Sequence, residues 1–183
     1  MRLFIAVCFS NGVKSRLLQI RDRIKTQAAR GNFSRPENLH LTLVFFGETP
    51  EDRVPVICSS IEKALSHPPI HEFTLDFCHT GCFRHSNKEL WWTGADKTDP
   101  GHAILIDLRR RLAAELASEG IAFDNRPFNV HITLAREVKH SSPIILPEEK
   151  INVPVKRISL MESRHINGSL VYTEIAGYDL PAA

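Results

Sequence analysis

Two six-residue segments of this chain repeat one pattern, asparagine–apolar–histidine–apolar–threonine–leucine. They are Asn38-Leu39-His40-Leu41-Thr42-Leu43 and Asn129-Val130-His131-Ile132-Thr133-Leu134. Side chains alternate between the two faces of a β-strand, so each histidine shares a face with its threonine and the apolar residues occupy the other. From the amino-acid composition, roughly 0.02 occurrences of such a pattern are expected by chance in a chain of this length. The repeat therefore predicts two equivalent strands, each anchored in a core by one face and lining a cleft with the other. Two solvent-facing strand histidines remain the alternative.

The rest of the chain combines strand patterns with three helix patterns. Helices are predicted from Ser10 or Asn11 to Gly31, over 49–66, and from Asp99 to Gly120. The predicted strands cover 2–9, 39–46, 73–78, 89–93, 130–138, 155–161 and 170–175. The turn dipeptide Asn167-Gly168 joins the last two strands into a hairpin. Strands outnumber helices, which predicts an α+β fold with largely antiparallel sheets, in one domain spanning residues 1–183.

Charge and motif content exclude several classes of protein. Lys and Arg total 23 against 21 Asp and Glu, and the resulting formal charge of +2 is too small for a protein that coats nucleic acid. No segment approaches the 18 or more apolar residues of a membrane span, so no membrane partner is expected. The phosphate-binding motif of ATPases and the G-x-G-x-x-G motif are both missing, so we expect no ATP and no dinucleotide.

The cysteines and the first apolar run bear on compartment and cofactors. The run over 3–9 is short and lacks a following cleavage site, so we interpret it as a buried first strand rather than a signal peptide. The cysteines show no C-x-x-C spacing, and this predicts free thiols in a reducing cytoplasm. A zinc site would need two clear ligand pairs, whereas only one group is close in sequence: Cys78, His79, Cys82 and His85. We therefore predict no metal and no cofactor.

Two histidines on facing strands suit the cleavage of a phosphodiester. That reaction needs a base to activate the attacking oxygen and an acid to protonate the leaving oxygen, and histidine performs either role near neutral pH. The two oxygens lie on opposite sides of phosphorus, so one imidazole on each side satisfies the geometry without a metal. The threonine hydroxyls can donate to the remaining phosphate oxygens. His40 and His131 are therefore the predicted catalytic residues, although spacing alone does not order their roles.

The chain resembles the two-histidine (2H) phosphoesterase superfamily, and within it the RNA 2′,3′-cyclic phosphodiesterases, also called 2′-5′ RNA ligases. The two repeats carry the resemblance together with further segments: 2–6, Phe46-Gly47-Glu48, Trp92-x-Gly94, Arg126-Pro127-Phe128, Ala135-Arg136 and Leu160-Met161-Glu162-Ser163. One departure is Val130, where the family commonly has proline. The resemblance implies a bilobal fold, with two related sheet-and-helix lobes around a central cleft.

The resemblance also implies an activity and residue roles. The activity is hydrolysis of a terminal 2′,3′-cyclic phosphate of RNA to a 2′-phosphate. The ligase name implies in addition that a 5′ hydroxyl can be joined to the cyclic phosphate without ATP. On the family pattern, His40 is the proton donor and His131 the proton acceptor. Thr42, Thr133 and Arg136 bind the substrate phosphate. Strict alternation places Arg136 opposite His131, so it must reach the cleft through a bulge, a twist or the strand end.

Other side chains are candidates for contact with RNA. Phe46 shares the alternation of His40 and could stack on a base, as aromatic residues do with single-stranded RNA. Phe9 and Phe128 could do the same, with core packing as their alternative. Arg126 could steer RNA or simply lie on the surface. The predicted loop over 80–88 combines aromatic and basic residues and could contact distant nucleotides or remain solvated.

Two other functions remain open on the sequence. One is an RNA- or nucleotide-binding module on the same fold with little catalysis. The other keeps the enzyme but changes the substrate to the cyclic phosphate of a small metabolite, an ADP-ribose derivative or a tRNA splicing product. We expect a monomer in either case.

Overall fold

The computed structural model describes residues 1–86 and 88–183, while Asn87 and the side chain of His85 lie outside the described part. The chain forms nine strands and three α-helices within these ranges. In order they are β1 Arg2–Cys8, α1 Asn11–Gln27, β2 Arg30–Phe33, β3 His40–Glu48, α2 Val54–Ser66, β4 Phe73–His85, β5 Lys88–Ala95, α3 Pro100–Ser118, β6 His131–Lys139, β7 Ile151–Val155, β8 Arg157–Ile166 and β9 Ser169–Asp179.

The strands form two antiparallel sheets. Sheet A has the order β3-β1-β8-β9, and sheet B has the order β2-β6-β5-β4-β7. Every pairing in both sheets is antiparallel. The first repeat lies at the edge of sheet A, and the second lies in sheet B. The predicted α+β fold with two sheet-and-helix lobes is confirmed.

The helix caps and the last hairpin follow the sequence signals. Ser10 accepts a hydrogen bond from the Val13 amide at the start of α1, and Asp99 accepts one from Gly101 at the start of α3. Asn167 and Gly168 both adopt positive φ, at 49° and 75°, as a two-residue hairpin turn between antiparallel strands requires.

Three parts of the predicted secondary structure were wrong. Helix α1 ends at Gln27 rather than Gly31, because the chain pairs with β6 as the short strand β2. Residues 80–85 are not a loop, since β4 continues to His85 and pairs with β5. Strand β7 was missed, and it pairs with the first half of β4. The edge strands β2 and β7 gain their structure from partners distant in sequence, which a local pattern does not reveal.

Both sheets contribute to one large apolar core, and sheet A has a second, smaller cluster on its opposite face. Strand β1 is buried on both faces: Leu3, Ile5 and Val7 belong to the large core, while Phe4 and Ala6 belong to the smaller cluster. Helix α1 packs on β2, β6 and β7, and α3 packs on α2, β3 and β4. None of the helices in the described ranges is long and apolar enough to cross a membrane.

Candidate active site

The two repeats meet where sheet A approaches sheet B. Strands β3 and β6 lie side by side in space although they belong to different sheets. The apolar side chains between the polar ones, Leu41 and Ile132, are fully buried. The half-buried His40 and His131 occupy the other faces of these strands. The fold therefore brings together two motifs that are far apart in the sequence.

Each histidine is held by the same local hydrogen bond. The Nδ1 of His40 lies 2.8 Å from the Asn38 carbonyl oxygen, and the Nδ1 of His131 lies 2.8 Å from the Asn129 carbonyl oxygen. A carbonyl only accepts, so Nδ1 carries the proton and donates it in both rings. Nε2 is then the atom available for proton transfer in each ring. In His40 this atom lies 3.0 Å from the Thr42 hydroxyl oxygen.

Aromatic rings fix the orientation of both imidazoles. The ring of His40 packs against Phe4 at a centroid distance of 4.8 Å and edge-on against Tyr172 at 5.1 Å. The ring of His131 packs edge-on against Phe83 at 5.5 Å. Each repeat thus receives an aromatic side chain from a nearby hairpin. No sequence pattern pointed to a role for Phe4 or Tyr172. A long-range ring contact leaves no periodic signal that could have identified them.

The Trp92 ring lies in a gap that two glycines leave open. A Cβ atom on Gly81 or Gly94 would approach this ring to 2.9 Å or 2.8 Å, closer than side chains tolerate. Gly94 pairs directly with His131, and Trp92 pairs with Thr133. Phe83 in turn rests on Trp92 at a centroid distance of 5.1 Å. The Trp92-x-Gly94 motif therefore forms the sheet surface next to the second repeat.

Burial lowers the pKa of His40 from 6.5 to about 4. The hydrogen bond to the Asn38 carbonyl opposes this shift, while the charges of Arg136 and His131 add to it. His40 in the free protein is therefore neutral at pH 7. The electrostatic influence of Arg136 and His131 on His40 also indicates that groups from sheet B face His40 across the cleft.

The depressed pKa of His40 predicts a pH-dependent stability. The unfolded state binds a proton near pH 6.5 and the folded state only near 4, so the contribution is complete above 6.5 and is lost as the pH falls toward 4. A difference of this size corresponds to roughly 3 kcal/mol. Urea unfolding at several pH values should show that His40→Asn lacks this part of the pH dependence. A parallel fall in stability for the variant and the wild type would contradict the assignment.

A bulge turns Arg136 toward the cleft. Strand β5 advances by one residue, from Trp92 to Trp91, while its partners on β6 advance by two, from Thr133 to Ala135. Leu134 is the extra residue, and it is buried together with Ala135. The alternation is reversed after this point, so the exposed Arg136 projects from the face of His131. Arg136 acts electrostatically on both His40 and Tyr172. Arg136 therefore reaches the cleft face through a bulge and not through a twist or the strand end.

The same bulge occurs in the first repeat, and it contradicts the predicted face of Phe46. Ile5 and Ala6 are adjacent on β1, whereas their partners Val44 and Thr42 are two residues apart on β3. After the shift, Phe45 joins the cluster of Phe4 on the cleft face, and Phe46 packs against the large core. Strict alternation from His40 was therefore wrong for Phe46, because the bulge inserts one residue.

The remaining predicted contact residues have other partners. Phe9 is 8% exposed within the large core and is not available for stacking on a base. Phe128 packs against the same core, and the guanidinium of the buried Arg109 lies 5.8 Å from its ring centre. Arg126 is exposed and forms an ion pair with Asp124. A role for Arg126 with RNA therefore stays a prediction, as do the phosphate-binding roles of the two threonines.

The segment before the second repeat is hydrogen-bonded to strand β3, just after the first repeat. The backbone amide of Asp124 donates to the Phe45 carbonyl at 2.8 Å, and Arg109 donates to the Asp124 carbonyl at 3.2 Å. Arg109 belongs to an arginine triplet on α3 that resembles a solvated helix face in sequence. Its burial against aromatic rings became visible only in the tertiary structure.

A family model described as the 2'-5' RNA ligase superfamily matches residues 13–166. The chain belongs to this superfamily. The sequence resemblance to two-histidine phosphoesterases is thereby confirmed.

Individual relatives support the membership. An RNA 2',3'-cyclic phosphodiesterase of Thermotoga maritima is 30% identical over 137 residues, which cover 74% of this chain and 70% of the relative. The protein of the same name from Escherichia coli is 28% identical over 98% of this chain and 96% of the relative. The crystal structure of the Thermus thermophilus protein TT0787 superimposes with a TM-score of 0.82 and 25% identity, covering 100% of this chain and 99% of that one. Superfamily membership and fold agree over nearly the whole chain.

Proposed function

We propose that this superfamily member hydrolyses the 2′,3′-cyclic phosphate at the end of an RNA to a 2′-phosphate, by acid–base catalysis between His40 and His131. The observation that carries the proposal is the matched pair of imidazoles on facing strands. Each is anchored through Nδ1 to the carbonyl two residues earlier and presents Nε2 for proton transfer. Relatives named RNA 2',3'-cyclic phosphodiesterase over most of their length support the choice of substrate.

The proposed reaction uses one proton on each side of phosphorus. Nε2 of His131 removes a proton from water as the water oxygen forms its bond to phosphorus. The bond between phosphorus and the 3′ oxygen breaks in line with this attack, and protonated His40 delivers its Nε2 proton to that oxygen. The 2′ ester bond is kept, so the product is a 2′-phosphate with a free 3′ hydroxyl. Thr42, Thr133 and Arg136 donate to the phosphate oxygens.

The donor role of His40 depends on the substrate. Its pKa of about 4 leaves the free imidazole neutral at pH 7. Burial is the main cause of this low pKa, and the charge of Arg136 adds to it. An anionic phosphate placed between His40 and Arg136 offsets the contribution of Arg136 and favours the charged imidazole directly. The acid is therefore charged mainly in the complex, where the leaving oxygen needs its proton.

The same site supports 2′-5′ ligation without ATP. A 5′ hydroxyl that replaces water can attack the cyclic phosphate, and the strained ring supplies the driving force. The two histidines keep their roles because the 3′ oxygen is again the leaving group, and they exchange roles when the 2′-5′ bond is cleaved. The proposed partners are RNA ends that carry a cyclic phosphate, including tRNA fragments, or a cyclic nucleotide. The proposed oligomeric state is a monomer. The cytoplasm is the proposed compartment, since all four cysteines are free thiols.

Product analysis tests the proposed function. An oligonucleotide ending in a 2′,3′-cyclic phosphate should be converted to the 2′-phosphate at an equal rate with and without excess EDTA. The products are separated by chromatography against 2′- and 3′-phosphate standards. A 3′-phosphate product would reverse the assignment of the leaving oxygen. Loss of turnover in EDTA would contradict the metal-independent mechanism, and intact cyclic ends with tight binding would favour the binding module.

A further inference from the structure

Basic side chains continue outward from Arg136 along the cleft face of sheet B. Directly paired residues of antiparallel strands share a face. Asn32 pairs with Arg136, and Arg30 pairs with Lys139. Their neighbours on the strands, Phe33 and Val138, belong to the core on the opposite face. We call Arg30, Lys88, Arg136 and Lys139 the basic track.

The outer part of the basic track surrounds one pocket. This pocket has a volume of about 300 Å³ and is lined by Arg30, Gly31, Asn32, Lys88, Glu137 and Lys139. Its volume is at the lower end of the range for small-ligand sites. Strand residues rise by roughly 3.3 Å each, so Lys139 lies only about 10 Å beyond Arg136. A strand bound at the catalytic histidines can therefore reach this pocket with its next phosphates.

One carboxylate lies within this pocket. Glu137 pairs with Lys88 at 2.5 Å and accepts a hydrogen bond from the Asn32 amide at 3.2 Å. Its pKa is lowered, first by Lys88 and also by the nearby Arg30. Glu137 adopts a positive φ of 54° at the second bulge of β6, which directs the carboxylate into the pocket. Three cations thus face one anion, and the pocket has net positive charge.

The opposite wall of the cleft has a different character. On sheet A the cleft face consists mainly of the apolar cluster of Phe4, Ala6 and Met161 with Phe45 and Tyr172. This face also carries the exposed Arg2, whose guanidinium lies 5.2 Å from the Phe45 ring centre. A nucleic acid strand needs cations for its phosphates, and apolar or aromatic surface suits sugars and bases. The track on sheet B therefore fits the phosphate backbone better than sheet A does.

We propose that the basic track binds the phosphodiester backbone of the RNA immediately upstream of its cyclic phosphate. This inference rests on the proposed function and extends it, because it makes a single-stranded oligonucleotide, rather than a cyclic mononucleotide, the preferred substrate. Binding to phosphates through Lys and Arg is independent of base sequence. The track therefore selects for a strand and leaves base preference to other contacts.

The test compares two substrates with one variant. The substrates are 2′,3′-cyclic AMP and an oligonucleotide of roughly six nucleotides with a cyclic phosphate end, a length typical of single-strand sites. The triple variant Arg30→Ala, Lys88→Ala, Lys139→Ala should raise KM for the oligonucleotide about tenfold and make its salt dependence shallower by ~2 in logarithmic slope. KM for cyclic AMP should change by less than about twofold, because one terminal phosphate does not reach the pocket.

Two further variants sharpen the test. The matched control removes three exposed, ion-paired cations elsewhere, Lys63→Ala, Arg110→Ala and Lys156→Ala, and should leave both KM values unchanged. Glu137→Gln should change KM for the oligonucleotide in the opposite direction and lower it, because this substitution removes the anion beside Lys88. A purely structural role for these residues would not produce opposite effects on one substrate.

The possible outcomes distinguish a failure of the basic-track proposal from a failure of the proposed function. If the wild type hydrolyses both substrates with equal, salt-independent KM, the track is wrong and the proposed function stands. If neither substrate is hydrolysed, the proposed function fails. The track is then tested by fluorescence anisotropy with the same oligonucleotide ending in a 2′-phosphate, where equal affinity of the wild type and the triple variant would overturn it.

Discussion

His131→Ala should lower kcat/KM for cyclic phosphate hydrolysis by about 10²–10⁴-fold, and His40→Ala should cause a loss of the same order. Each substitution removes the Nε2 atom that carries one of the two protons in the proposed reaction. Both residues are half-buried at the cleft, and their backbone pairing does not involve the ring. The variants should therefore fold, as shown by near-UV circular dichroism and a cooperative urea transition.

The pH profiles of these variants assign the two roles. Loss of the base removes the limb on which the rate rises with pH, and loss of the acid removes the limb on which it falls. His131→Ala should flatten the acidic limb of kcat/KM, and His40→Ala the alkaline limb. If His131→Ala instead flattened the alkaline limb and His40→Ala the acidic limb, the assignment of proton donor and proton acceptor would be reversed.

A strand histidine without a proposed role supplies the control. His165 is exposed on β8, and His165→Ala should leave both kcat and KM unchanged. Full turnover by His40→Ala or His131→Ala would refute the acid–base pair. Unchanged binding of a nucleotide in all three variants, with no turnover by the wild type, would instead support the binding module.

Arg136→Ala should lower kcat/KM by about 10²-fold. Removing one donor from a developing oxyanion usually costs about 10²–10³-fold in rate, and here the donor is also a cation. Because the charge of Arg136 lowers the pKa of His40, the variant should also raise that pKa. Kinetics on an RNA with a cyclic phosphate end measure the first effect, and an NMR titration of the His40 ring measures the second.

The conservative variant separates charge from geometry. Arg136→Lys keeps the charge but loses the planar pair of donors, so it should restore the pKa of His40 more fully than it restores the rate. Arg110→Ala, on the exposed face of α3, serves as the control and should change neither quantity. An unaltered rate in Arg136→Ala would show that the bulge does not deliver this side chain to the phosphate.

The bulges show where sequence reasoning reached its limit. The alternation from His40 to Thr42 and from His131 to Thr133 held, because no residue is inserted within either motif. It failed one residue later, at Leu43 and Leu134. A bulge depends on the register of the partner strand, and the motif alone does not specify that register. Arg136 and Phe46 were therefore the two residues whose faces could not be read from the alternation.

The sequence by itself determined the class of fold, the two strands that carry the site and the four polar residues between their apolar anchors. It did so because strand alternation and hydrophobic burial act over a few residues. Only the tertiary structure decided which surfaces meet those residues. Tyr172 and Phe83 against the histidines, Arg109 beneath the segment before the second repeat, and Lys88 beside Glu137 all depend on contacts between distant strands and helices. Such contacts are fixed by sheet register and packing, which no local pattern encodes.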